Sequence, residues 1–378
     1  MRSFSQTVHV NFCPVFVISA KTRSFDLLSL VIHEIIKQKE IIIMKARHRF
    51  VYIIAALVGL PLVGTAASAA TIEVIETFDI SGMGRNTEPQ KINDRGDIVG
   101  AVVDPVAGIT RGFFRGRYGQ FQKTFVEPND TGNVTQNRGL NNAGQMCGNY
   151  TVASDGTTHG YLLMSGAFTG FDLPDVSSTI PLGISNYSQV AGSFVENDGI
   201  TQEAFLGFTD TSVTTFAIPD ATATLAYQVN TSNQATGYYV DADGITHGYL
   251  RDADGTLTYP IDPEGSVGTV LFGNNDSNWV VGRYADEAGV THGLFFMTPG
   301  EFVTFDYPGS AFTSLNGINA RGFICGRYVD DSGVEHGIIA KVNPDGTNQP
   351  NKNNILPRTG LKPAQLSPEK SGIGAPAM

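Results

Sequence analysis

One glycine recurs along this chain at an almost constant interval. Gly100, Gly148, Gly192, Gly237, Gly282 and Gly326 are separated by 48, 44, 45, 45 and 44 residues. Each has the same companions. Seven positions before it stands Asn93, Asn141, Ser185, Asn230, Asn275 or Asn319. Four before it stands Gly96, Gly144, Ser188, Asn233, Asn278 or Gly322. Ten or eleven after it stands Arg111, His159, Gln202, His247, His292 or His336. Six near-copies of about 45 residues confine the chain to repeat architectures.

Each unit reads as four short strands. Runs such as Phe323 to Val329, Thr246 to Leu250 and Glu301 to Asp306 are rich in β-branched and aromatic residues and are bounded by turn clusters. The Gly, Asn or Ser four before the aligned glycine suits a backbone with φ > 0. Acidic turns such as Asp241-Ala242-Asp243-Gly244 separate the second and third strands. Helical repeats do not fit, because Gly and Asn interrupt every candidate helix. The runner-up is a β-solenoid, whose coils are usually shorter. Four strands per unit is the size of a β-propeller blade.

The expected fold is therefore all-β, a six-bladed β-propeller over residues 70–343. Residues 72–80 match the fourth strand of the other units, while the last unit stops after its third strand near Val342. The N-terminal strand is expected to complete the last blade and close the ring.

The flanks differ in character. Residues 44–69 carry the three parts of a secretory signal peptide: basic Lys45, Arg47 and Arg49, an apolar run from Phe50 to Val63, and Ala67-Ser68-Ala69 before the cleavage point. The apolar run is too short to span a bilayer, so no membrane span is expected after cleavage. Residues 1–43 are expected to be an untranslated upstream extension. Lys39-Glu40 can be encoded as a ribosome-binding sequence, with three isoleucine codons before Met44. Residues 344–378, rich in Pro, Asn, Gly and Lys, read as a disordered tail.

The whole chain has net charge −11. Residues 1–69 hold eight basic and three acidic side chains, so the remainder is at −16. Such a balance argues against nucleic acid as a partner, because phosphate contacts need Lys and Arg. Only Cys147 and Cys325 remain after residue 69. They fall in different units, so no disulfide framework is expected.

The pattern Gly-Ile-Asn-x-x-Gly-x-x-x-Gly-x-Tyr-x-Asp-x-x-Gly-x-x-His-Gly, best seen over 317–337 and 273–293, resembles the probable extracellular repeat, HAF family. The resemblance extends over about 80–343. The name-giving His-Ala-Phe triplet stands here as His159-Gly160-Tyr161, His247-Gly248-Tyr249, His292-Gly293-Leu294 and His336-Gly337-Ile338. The resemblance implies secretion and a repeat architecture, and no reaction.

All four histidines after residue 69 share one repeat position. Ring symmetry would spread His159, His247, His292 and His336 over different blades, whereas metal ligands must converge within about 2 Å of one ion. They are read as structural, with Asp241, Asp286 and Asp330 six residues earlier as partners, and no metal or cofactor is expected. No nucleophile elbow, zinc-protease, P-loop or dinucleotide motif is present, so no catalytic residue is assigned.

Exceptions to the repeat are the better binding candidates. Three residues before the aligned glycine most units have Asp97, Gln145, Gln189 or Gln234, but units 5 and 6 have Trp279 and Phe323. If that position is exposed, the two aromatics form a recognition surface. Unit 1 places Arg111 where other units have His, followed by Arg115 and Arg117. The expected function is a secreted, monomeric, non-catalytic binding or scaffold propeller, with a glycan or protein ligand. The alternative is an extracytoplasmic hydrolase or lyase with its site at the channel mouth.

Overall fold

The structure is a computed structural model. It describes residues 8–12, 16–20, 70–80, 86–119, 121–208 and 212–346. The expected signal peptide at 44–69 lies outside the described residues. So do most of the 1–43 extension and the tail from 347 onward.

Two compact units, 1–66 and 67–378, are separable. The first contains an antiparallel hairpin, β1 (Val8–Phe12) with β2 (Phe16–Ala20). In the second, β3 (Thr71–Phe78) precedes a series of antiparallel meanders. Unit 1 supplies β4 (Asn86–Ile92), β5 (Ile98–Asp104), β6 (Ile109–Arg115) and β7 (Gln122–Phe125). Unit 2 supplies β8 (Thr135–Leu140), β9 (Met146–Val152), β10 (Thr157–Met164) and β11 (Ala167–Gly170). Unit 3 supplies β12 (Ser178–Ile184), β13 (Gln189–Val195), β14 (Gln202–Phe208) and β15 (Val213–Phe216). Unit 4 supplies β16 (Ala223–Val229), β17 (Ala235–Val240), β18 (Thr246–Arg251) and β19 (Leu257–Ile261). Unit 5 supplies β20 (Ser266–Asn274), β21 (Val280–Asp286), β22 (Thr291–Phe296) and β23 (Val303–Phe305). Unit 6 supplies β24 (Thr313–Ile318), β25 (Phe323–Val329) and β26 (Glu335–Asn343).

The arrangement is all-β and propeller-like. Units 1, 2 and 5 each form a four-stranded sheet. Units 3 and 4 form one eight-stranded sheet, joined by a single parallel bridge between Gln202 and Ala223. The three strands of unit 6 are completed by β3, which runs antiparallel along β26 from Gly337↔Phe78 to Asn343↔Thr71.

Close packing explains the recurring glycine. In every unit a bulge interrupts the pairing of the first two strands, as between Leu271 and Gly273. A Cβ on the aligned glycine would then approach the facing carbonyl oxygen to 1.9 Å at Gly237 and no farther than 2.4 Å at Gly192. The turn before each second strand needs a left-handed residue. Gly96, Gly144, Ser188, Asn233, Asn278 and Gly322 all have positive φ.

Apolar side chains fill the seams between sheets rather than one central mass. Val281 and Phe295 of unit 5 pack with Leu315, Ile324 and Ile338 of unit 6. Phe323, Cys325 and Ile339 of unit 6 pack with Phe78 and with Ile92, Ile98 and Phe113 of unit 1. Each fully buried Leu, Ile or Phe contributes about 1.5–3 kcal/mol, so the seams carry much of the stability. Cys147 and Cys325 are free and buried. No helix among the described residues is long and apolar enough to cross a membrane.

Candidate functional site

Three constructions recur or break at defined heights along the strands. The first is built on the histidines. Each sits at the start of a third strand, directly across from a second-strand tyrosine: Tyr150↔His159, Tyr239↔His247, Tyr284↔His292 and Tyr328↔His336. Their rings stack at 4.8–5.5 Å. The Nε2 atoms of His247, His292 and His336 lie 3.2, 3.3 and 3.1 Å from turn carboxylates Asp241, Asp286 and Asp330. Nδ1 faces a second carboxylate beyond the fourth strand: Asp172, Asp262, Asp306 and Asp79, at 3.0, 2.6, 2.8 and 2.9 Å from His159, His247, His292 and His336. The acidic turn of unit 2 is built differently: Asp155 stands four residues before His159, 3.6 Å from its Nε2. Burial alone would lower these imidazoles. Hydrogen bonds and charge from the paired carboxylates outweigh it and hold all four above their ordinary value. Each histidine has its own carboxylates. Among the described residues no group of three or more His, Cys, Asp and Glu is placed to hold a metal ion.

The second construction joins the units at the end of their first strands. Asn319 Nδ2 donates to the Asn93 carbonyl, Asn93 to Asn141, Asn141 to Ser185, Asn230 to Asn275 and Asn275 to Asn319. The same side chains accept backbone N–H groups of their own turns, as Asn319 Oδ1 does from Arg321 and Phe323. These turns surround a cavity of about 50 Å³. Below it a buried cation crosses the interior: Lys91 Nζ of unit 1 donates to the Phe272 carbonyl of unit 5 at 2.5 Å. Burial lowers this ammonium to about 8, while the nearby Cys147 and Cys325 thiols are pushed up to about 12 by burial.

The third construction runs from the first-strand bulges toward the other end of the strands, where first strands begin and second strands end. Here the repeat breaks. The position after the aligned glycine is Ala101, Asn149 and Ser193 in units 1–3, but Tyr238, Arg283 and Arg327 in units 4–6. The bulged first-strand residue is Tyr227 in unit 4 and Phe272 in unit 5. Tyr227, Tyr238, Phe272, Arg283 and Phe312 line a cleft of about 400 Å³ between units 4 and 5, with Thr246 and Thr291 at its sides. That volume is within the range of small-ligand sites. Tyr227 packs edge-on against Phe272 at 5.0 Å and lies 5.8 Å from Tyr238. The Arg283 guanidinium is 5.3 Å from the ring centres of both Phe272 and Phe312. Arg327 beside it is paired with Glu88 at 3.0 Å and Glu335 at 3.5 Å.

The expectation of exposed aromatics three residues before the glycine is corrected. Phe323 is buried at 2% exposure, beneath the side chains of Arg321 and Lys341. Trp279 is half-buried, packed edge-on against Phe295 and beside the unit 5–6 core. The polar copies do not report exposure either. Asp97 is buried, and Gln145 and Gln189 are bonded to Ser188 and Asn233 of the following units. This position faces a seam, which either hydrogen bonds or apolar packing can fill. The three clustered arginines of unit 1, Arg111, Arg115 and Arg117, also part company. Arg111 is half-buried on β6. Arg115 is fully buried, bonded to Glu76 at 2.5 Å and stacked over Phe78, and Arg117 is exposed over Tyr118. The cleft residues were missed because the bulge that aims Tyr227 and Phe272 is invisible without the register. The change from small residues to Tyr238 and Arg283 after the aligned glycine was a usable signal.

No family model matches the chain, and no curated protein matches it. Among solved structures it is similar to TolB from Acinetobacter baumannii, at 12% identity and TM-score 0.47, over 66% of this chain and 65% of that one. It is similar to the β-propeller domain of the Trilobed protease from Pyrococcus furiosus, at 11% identity and TM-score 0.44, over 69% and 81%. It is also similar to the fucose-specific lectin of Aleuria aurantia, at 11% identity and TM-score 0.41, over 68% and 96%.

Proposed function

We propose that the chain is an exported, closed six-bladed propeller of the HAF repeat type that acts as a non-catalytic binding module, with a glycan held in the cleft between units 4 and 5. Closure is supported by β3 pairing with β26 and by the Asn319 to Asn93 hydrogen bond. The single bridge between Gln202 and Ala223 is too slight to merge two blades, so units 3 and 4 count separately. Export is supported by the signal-peptide pattern over 44–69.

The observation that carries the binding reading is the departure from repeat symmetry at the cleft. A residue that recurs in every unit serves the fold; aromatic residues gathered at one place serve recognition. Tyrosine rings offer flat apolar faces to a sugar and hydroxyls to its polar edge. A hydrolase or lyase in this cleft would need a positioned carboxylate or imidazole. Among the described residues its lining has neither.

Probing the full chain on a glycan array tests the reading. Retention of a defined glycan class, lost in Tyr227→Ala, is expected. No retained glycan, or retention indifferent to Tyr227→Ala, contradicts it.

A further inference from the structure

We infer that the sugar held in the cleft is a carboxylate-bearing one, a uronic acid residue whose carboxylate pairs with Arg283. This deepens the binding reading above and rests on it.

Among the described residues Arg283 is the only cleft-lining one that carries a full charge. It stays a cation under any physiological condition. Its neighbour Arg327 has Glu88 and Glu335, but among the described residues Arg283 has no ion pair and no hydrogen bond. Arg115, buried still more deeply, has Glu76. A half-buried guanidinium set between two phenyl rings, with Glu335 near enough to act on it but no carboxylate in ion-pair contact, is complementary to an anion that arrives from outside. Its planar fork matches a carboxylate in a bidentate pair.

The hydroxyls nearby point to a sugar ring. The two fully buried tyrosines elsewhere are satisfied: Tyr161 donates to the Gln136 carbonyl and Tyr249 to the Leu225 carbonyl. Tyr227 and Tyr238 donate to no protein group among the described residues. Both line the cleft within reach of its contents, with the Thr246 and Thr291 side chains beside them. A ligand with one carboxylate, several hydroxyls and a flat apolar face uses all of these groups. The net charge of −11 disfavours a long polyanion at close range, so a single acidic residue, terminal or within an otherwise neutral glycan, is the fitting form.

Calorimetric titration of the full chain with methyl glucuronoside and methyl galacturonoside, beside their methyl esters and the parent neutral glycosides, tests this. An acid should bind about tenfold or more tightly than its ester, since a hydrogen-bonded ion pair is at stake. Arg283→Met, which keeps the packing between Phe272 and Phe312, should erase that preference, and Arg283→Lys should recover part of it. Unchanged thermal melting of both variants establishes that the loss is local. Equal binding of acid and ester, or a preference that survives Arg283→Met, overturns the acidic-sugar inference while leaving the binding reading intact. Absence of binding by every glycoside overturns both.

Discussion

Nδ1 of His336, in the last repeat unit, lies 2.9 Å from Oδ1 of Asp79, which stands 257 residues earlier in the chain. In the other three histidine-bearing units the equivalent carboxylate follows its histidine within the same unit, as Asp306 follows His292. The segment holding β3 therefore supplies unit 6 with both a strand and a side chain. Because Asp79 is 58% exposed, Asp79→Asn should cost only about 0.2–1 kcal/mol in urea denaturation. Removal of residues 71–80 should instead prevent cooperative folding, because β26 and the Phe78 seam lose their cover.

Stability should have a defined dependence on pH. The folded-state values of all four histidines are raised, so their contribution is fully present below the unfolded imidazole value of about 6.5 and is lost as pH rises through the higher folded values. Asp155, Asp241, Asp286 and Asp330 are held low, chiefly by backbone N–H donors in their turns. Their contribution is present above about 3.9 and is lost as pH falls through the depressed folded values. Chemical denaturation at a series of pH values should therefore show stability declining from mildly acidic toward neutral pH. Replacing all four histidines by glutamine should flatten the decline toward neutral pH.

Lys91 acts in the opposite sense. Burial lowers its ammonium from 10.5 to about 8, so the charged form is disfavoured in the folded state. The unfolded chain binds the extra proton, and stability should rise with pH between those two values. Lys91→Met should remove that rise and stabilise the protein at pH 7 by about 1–3 kcal/mol, as replacement of a buried charge by an apolar side chain often does. Comparing the midpoints of the variant and the parent at pH 7 and pH 10 checks both statements.

Ser185 marks a gap in the inter-unit hydrogen bonding. Its hydroxyl accepts from the backbone of Tyr187 and Gln189, as the asparagines do in their turns. It is too short to reach the unit 4 carbonyl that an asparagine would bond. Ser185→Asn should add that bond and stabilise by about 0.5–1.5 kcal/mol in urea denaturation. Asn319→Ala, which removes the acceptor of the Arg321 and Phe323 N–H groups and one of the two donors to the Asn93 carbonyl, should cost about 1–3 kcal/mol.

Much of this architecture was legible in the chain because backbone geometry dictates it. The aligned glycines recur because a Cβ would strike the facing carbonyl. The Gly, Asn and Ser four residues earlier recur because the turn has positive φ. Asp241, Asp286 and Asp330 could be paired with their histidines from spacing across one hairpin. Their second partners, Asp262 and Asp306, could not, since they depend on how the fourth strand returns. Phe323 misled because a polar residue at a seam and a polar residue in water look alike in sequence. Lys91 bonds to Phe272, 181 residues later in the chain, and no local pattern announces a contact of that kind.

The completion of the last sheet by β3 is tested most directly by a cross-link. Thr71 and Asn343 are register partners at the end of β3 and β26. A Thr71→Cys/Asn343→Cys variant, oxidised in dilute solution and digested, should yield one intramolecular disulfide-linked peptide pair. Its melting temperature should exceed that of the reduced form, because the link constrains nearly the whole unfolded chain. A variant that stays reduced while folded, or links only between molecules, would contradict the account.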